Sequence, residues 1–315
     1  MERKEMKEKQ PSVKAWFELV SRMSLVPPRN EPAILETAQA AASSRVPLPI
    51  IIPVCTAVQS LGQPNKKGQT RELVPLEADN PRLVGFIEEL FAFHQQTREH
   101  LAVPLEIMLL LADVIEPGDE SFTGDRQTIA RESIQGITKA FAEFDRENQG
   151  IFRESGFRTP KVQKLSQTVS QTGQVKLNHR QIMTRIERAS LKPGSLTFKL
   201  FFKHLEMAPD WIDETGFQSI ESARATWERI RFLLCQAGAD TAVLPKIMEF
   251  NLKAKFKLPC PIMVCATTRP AGIEVQMDAT TLLAKSPEIL PKNIAQPGTM
   301  AIFRNIGSWT NPKVE

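Results

Sequence analysis

"VPLPIIIPVC", residues 46–55, is the stretch on which the fold turns. It is apolar, rich in β-branched side chains and bounded by prolines. A short run with no polar face is the mark of a strand buried on both sides. Pro53 lies inside it. Proline brings no N–H to a ladder, so this position predicts a bulge, a strand end or an edge. "LEIMLLLADV", residues 105–114, meets the same test and is the second buried strand.

A helix stands between these two runs. "DNP" at 79–81 supplies Asn80 as N-cap and Pro81 at the first helical position. The helix runs to about residue 100, with Leu83, Ile87, Leu90, Phe91 and His94 on one stripe. A second helix, about 125–147, places Ile129, Ser133, Ile137, Ala140, Phe141 and Phe144 on one face. Strand, helix, strand, helix with continuous apolar strands is the pattern of a parallel sheet covered by helices. The crossover is expected to be right-handed.

"LPCPIMVCATT" (258–268) is a third strand candidate, and "GIEVQMDA" and "TMAIFRNI" can add edge strands. Residues 150–178 hold few apolar side chains and read as an irregular insertion. Helical segments are expected over 178–190, 195–207, 216–237 and 240–250. Towards the N-terminus, Ser12 starts a short amphipathic helix over 12–22, "VPPRNEP" breaks it, and 32–43 is alanine-rich and helix-favouring. The expected class is α/β, a Rossmann-like, mainly parallel sheet flanked by helices. An N-terminal helical arm would take 1–45. One α/β domain would take 46–306, with a flexible or helical insertion around 150–210, and a loose tail would take 307–315.

Composition sets further bounds. The chain has 315 residues, 42% hydrophobic and 24% charged, enough to bury a large core without staples. The four cysteines include no CxxC pair, so there is no zinc signature and core filling accounts for them. The mixed-charge N-terminus lacks the apolar core of a signal peptide, which predicts a cytoplasmic protein that enters no membrane. A net charge of +4 is compatible with an anionic ligand or RNA without demanding either. The chain has 17 phenylalanines and no tyrosine, which removes tyrosine from the candidate catalytic acids. His94, His100, His179 and His204 show no metal spacing, and His94 reads as a packed ring on its helix stripe. No GxSxG elbow is present.

In open parallel sheets, ligands bind beyond the carboxyl ends of the strands. That rule nominates three clusters. After the first strand come Thr56, Gln59, Asn65, Lys66, Lys67 and Gly68, in a polar stretch over 56–79 far longer than an ordinary loop. Its lysines can meet phosphate, although neither GxGxxG nor GxxxxGK[ST] occurs there. After the second strand, Asp113 and Glu116 are the candidate catalytic acids, able to orient a ribose hydroxyl or hold Mg²⁺ with substrate phosphates. Arg126, near the next helix start, can meet an anion. After the third strand, Thr267, Thr268 and Arg269 suit an anionic group. These clusters point to an enzyme acting on a nucleotide or phosphorylated small molecule, with transferase as the reaction class. The competing expectation is a binding module that holds RNA or a protein through lysines at 64–68, 161–164 and 251–257. Such binding weakens steeply with salt.

Overall fold

The computed structural model describes residues 12–55, 57–61, 70–112, 122–123, 125–164, 184, 188, 261–264 and 298–303. Its main sheet has five parallel strands: β1 (Leu48–Cys55), β4 (Leu105–Ala112), β6 (Lys161–Lys164), β7 (Ile262–Val264) and β8 (Thr299–Met300). They lie in the order β6-β4-β1-β7-β8. Numbered along the chain within this sheet, that order is 3-2-1-4-5, the Rossmann-like arrangement. A second sheet joins β2 (Ala57–Leu61), β3 (Thr70–Val74) and β5 (Phe122–Thr123), in the order β2-β3-β5.

β1 sits at the centre, paired in register with β4 from Leu48↔Leu105 to Cys55↔Ala112 and with β7 at Ile50↔Ile262 and Ile51↔Met263. Both faces of these strands are covered. Leu48, Ile50, Ile52 and Val54 belong to the core cluster shared with the helices, while Ile51, Leu110 and Met263 are buried on the opposite face. This accounts for runs that are apolar throughout rather than alternating.

Pro53 is therefore in a central strand, without a bulge, and the edge or strand-end reading is corrected. The reason is the direction of the backbone groups. The Leu48 N–H donates to the Pro104 carbonyl at 2.8 Å, towards β4. Successive residues of a strand point to opposite neighbours, so even-numbered positions of β1 serve the β4 ladder and odd-numbered ones face β7. Pro49 and Pro53 are both odd, so neither removes a donor from the eight-residue β4 ladder.

The helices form as their caps dictate. α1 (Val13–Met23) starts at Ser12, whose hydroxyl accepts from the Ala15 N–H at 3.3 Å. α2 (Glu31–Ser44) packs on β1 and β7 through Ile34, Ala38 and Ala41. The segment between these helices lies along β8, where Arg29 and Thr299 exchange backbone hydrogen bonds. α3 (Pro81–Leu101) is capped by Asn80, which accepts from the Arg82 N–H at 3.0 Å. α4 (Arg126–Glu147) is capped by Asp125. Trp16 of α1 is fully buried, with its indole N–H donating to Thr97 Oγ1 of α3 at 3.2 Å. Among the described residues, no helix is long and apolar enough to cross a membrane.

Two stretches differ from the sequence reading. Residues 151–164, read as part of an irregular insertion, form α5 (Ile151–Ser155) and the edge strand β6. The polar stretch 56–79 contains the β2–β3 hairpin, and the loop after β4 contains β5, which pairs parallel with β3. The candidate strand 272–279 and the helical segments expected beyond 190 lie outside the described residues.

Candidate functional site at the carboxyl edge of the sheet

In a 3-2-1-4-5 sheet, the chain leaves β1 in one direction and returns to its other side through strand four. The point of reversal lies between β1 and β7, and in open sheets of this kind the ligand crevice falls at the carboxyl ends beside it. The Ile51↔Met263 register sets position 53 to direct its N–H at the Val264 carbonyl. Proline has no N–H to give. Past Ile51, β1 therefore offers β7 no donor at position 53.

The same edge carries the small sheet. Ala57 of β2 follows Cys55 after a single residue, and β3 leads through Leu76 to Asn80 and α3. β5 arises from the segment that leaves β4 and runs directly into α4. The β2–β3–β5 sheet is thus built from the two segments leaving adjacent strands, Cys55 and Ala112 being register partners. The Leu76 N–H donates to the buried Ser133 hydroxyl of α4 at 3.0 Å, anchoring the end of β3. At the far side, Lys164 closes β6 by donating to the Gln127 side chain at 3.0 Å and its carbonyl at 3.3 Å, in the first turn of α4.

Both helix starts at this edge are occupied by their own caps. Asn80 takes the Arg82 amide. Asp125 takes the Gln127 amide at 3.1 Å and the Thr128 hydroxyl at 2.6 Å. The Thr128 hydroxyl bond is the main reason its carboxyl titrates below the usual range, followed by the Thr128 amide. The first turn of α4 thus carries a carboxylate of its own, which disfavours a phosphate there. With these caps in place, the first turns of α3 and α4 are poorly suited to take a further anion.

The structure locates the sequence candidates only in part. Gln59 is in the middle of β2, opposite Glu72 of β3. Arg126 is the first residue of α4. Thr56 adjoins the last residue of β1, and Asp113 and Glu116 follow the last residue of β4. These three lie outside the described residues, as do Lys66 and Lys67 between β2 and β3, and Thr267, Thr268 and Arg269 beyond β7. What the strand pairing brings together is their points of departure: Cys55, Ala112 and Val264 end three adjacent parallel strands. Among the described residues, no group of three His, Cys, Asp or Glu is placed to hold a metal. A groove of about 1010 Å³ between α1 and α2 is lined by Phe17, Leu35 and charged neighbours, and none of its residues belongs to a strand.

Sequence reasoning missed the hairpin and the role of Pro53. The signal for the hairpin was present, as two five-residue stretches around the turn-rich "GQPNKKGQ". No family model matches the chain, and no curated protein matches it at a significant level. Among solved structures, the crystal structure of the PvcA protein from Pseudomonas aeruginosa is similar at 17% identity and a TM-score of 0.40. That match covers 77% of this chain and 71% of the other.

Proposed function

We propose that this chain is an enzyme that takes a nucleotide or another phosphate-bearing small molecule at the carboxyl ends of β1 and β7, with group transfer as its reaction class. One observation carries the reading: the strand order β6-β4-β1-β7-β8, which puts a point of chain reversal beside the central strand. In this reading Asp113 orients a hydroxyl or a Mg²⁺ ion. Lys66, Lys67 and Arg269 neutralise phosphate from side chains, in keeping with the self-capped starts of α3 and α4. Thr56, Thr267 and Thr268 supply hydroxyls.

The test begins with the native protein. Its absorbance ratio at 260 and 280 nm is measured, and material released on denaturation is identified by mass spectrometry. A released nucleotide or phosphorylated metabolite is the expected result, and otherwise a nucleotide panel read by thermal shift finds the ligand. Asp113→Asn is then expected to weaken ligand affinity or turnover about tenfold or more, the loss of one charged hydrogen bond. Unchanged affinity and activity in Asp113→Asn would remove that residue from the site. Released RNA, lost with rising salt, would replace the enzyme reading by nucleic-acid binding.

A further inference from the structure

His94 is fully buried in α3, and both ring nitrogens are engaged by different elements. The Leu105 N–H, first in β4, points at Nδ1 at 3.3 Å. A nitrogen that accepts from an amide carries no proton, so the proton is on Nε2. That Nε2–H donates to the Ser155 carbonyl, the last residue of α5, at 3.2 Å. The ring is closed in by Phe91 at 6.4 Å and, edge-on, by Phe157 at 5.0 Å. One side chain thus ties α3 to the start of β4 and to the end of α5, six residues before the edge strand β6.

We infer that His94 is a pH-sensitive latch, whose protonation releases α5 and the β6 edge of the sheet from α3 and β4. A second ring proton has one place to go, Nδ1, and there it faces the Leu105 N–H. Two donors then meet head-on in a buried site, and the amide loses its acceptor. Apart from the Ser155 carbonyl, the surroundings resist the charge or are neutral. From α3, the Arg98 guanidinium repels it while donating to the same Ser155 carbonyl. β4 offers an amide, and Phe157 offers a ring. The one group that favours the cation is the Ser155 carbonyl. Burial dominates and holds the imidazole below its ordinary value near 6.5, and among the described residues no carboxylate offsets it.

The sign follows from linkage. With the folded pKa depressed, the open form binds one more proton than the closed form between the two pKa values. Opening therefore rises about tenfold per pH unit as pH falls through the window below 6.5, and levels off under the folded pKa. The latch is engaged at neutral pH and lost on acidification.

The experiment compares amide hydrogen-exchange protection over residues 151–164 in the full chain, from about pH 7.5 to about pH 5, corrected for intrinsic exchange. Wild type is expected to lose protection about tenfold per pH unit below the ordinary histidine value. The variant His94→Gln, which can both accept and donate but does not titrate, is expected to show no such slope. Flat protection in wild type, or the same slope in His94→Gln, overturns the inference. Should His94→Gln not fold, nitrogen-15 NMR of the wild-type imidazole decides the question. A ring protonated on Nε2 alone at neutral pH, with the Leu105 amide resonance shifting as it titrates, supports the latch. A ring titrating at its ordinary value with that amide unmoved rejects it.

Discussion

Ala102 ends α3 at φ 57°, in the left-handed region, with its N–H donating to the Arg98 carbonyl at 3.0 Å. A side chain there costs roughly 1–2 kcal/mol, which glycine avoids. Glycine's greater freedom in the unfolded chain takes back about 0.4–1 kcal/mol. Ala102→Gly should therefore stabilise the protein by about 0.5–1 kcal/mol, read as a higher urea midpoint at unchanged slope. Gly136 makes the opposite case. It lies inside α4, where alanine ordinarily helps by about 1 kcal/mol. Here an added Cβ would collide with the Leu76 carbonyl oxygen, whose residue is already held by Ser133 one turn away. Gly136→Ala should lower stability by about 1–3 kcal/mol, the cost of overpacking a site that cannot yield. The aromatic cluster of Phe91, Phe141, Phe144, Phe152 and Phe157 gives part of the reason for a phenylalanine-rich composition. Its rings pack on one another, and a para hydroxyl placed among them would need a polar partner.

Elements with local signals were legible, and elements made by distant partners were not. α3 could be read because Asn80, Pro81 and the apolar stripe lie within one stretch of chain. β1 and β4 could be read because burial on both faces writes itself as an unbroken apolar run. β6 could not: "KVQK" carries one apolar side chain, and what makes it a strand is its ladder to Leu109 and its neighbours, some fifty residues away. The β2–β3 hairpin was hidden by the polar sequence between its arms. α1 was legible as a helix, but its seat on α3 was not, since that depends on Trp16 finding Thr97 and the Phe93 ring, at 6.4 Å, across 81 positions. Removing that anchor tests how firmly the element is held. Trp16→Ala should cost about 3–5 kcal/mol, the range for emptying a fully buried aromatic site. If calorimetry shows a loss under about 1 kcal/mol, α1 is a dispensable appendage rather than part of the core.

At the scale of the whole molecule, the parallel α/β class could be read, and the order of the strands could not. Nothing near "PIMV" says that it pairs with "PLPIII" two hundred residues earlier, yet that pairing creates the reversal beside β1. The prolines illustrate the difference. In sequence, Pro53 argues against a central strand. In the sheet, it faces β7, so it costs β4 nothing, and in the proposed reading the donor it withholds from the Val264 carbonyl leaves room for a ligand. Pro53→Val separates these roles. A valine N–H aimed at the Val264 carbonyl adds one ladder bond, about 0.5–1.5 kcal/mol. Losing proline's restriction of the unfolded chain costs about 0.4–1 kcal/mol. The two nearly cancel, so the ligand-free melting temperature should change little. Binding should change much more, because the extended ladder narrows the crevice. At a ligand concentration near 100 times Kd, wild type gains about 2.7 kcal/mol. Under the same conditions the variant should lose most of that gain. A variant that keeps the full ligand-dependent shift would place the ligand away from the gap between β1 and β7, and a drop in ligand-free stability of several kcal/mol would show that Pro53 holds the strand itself.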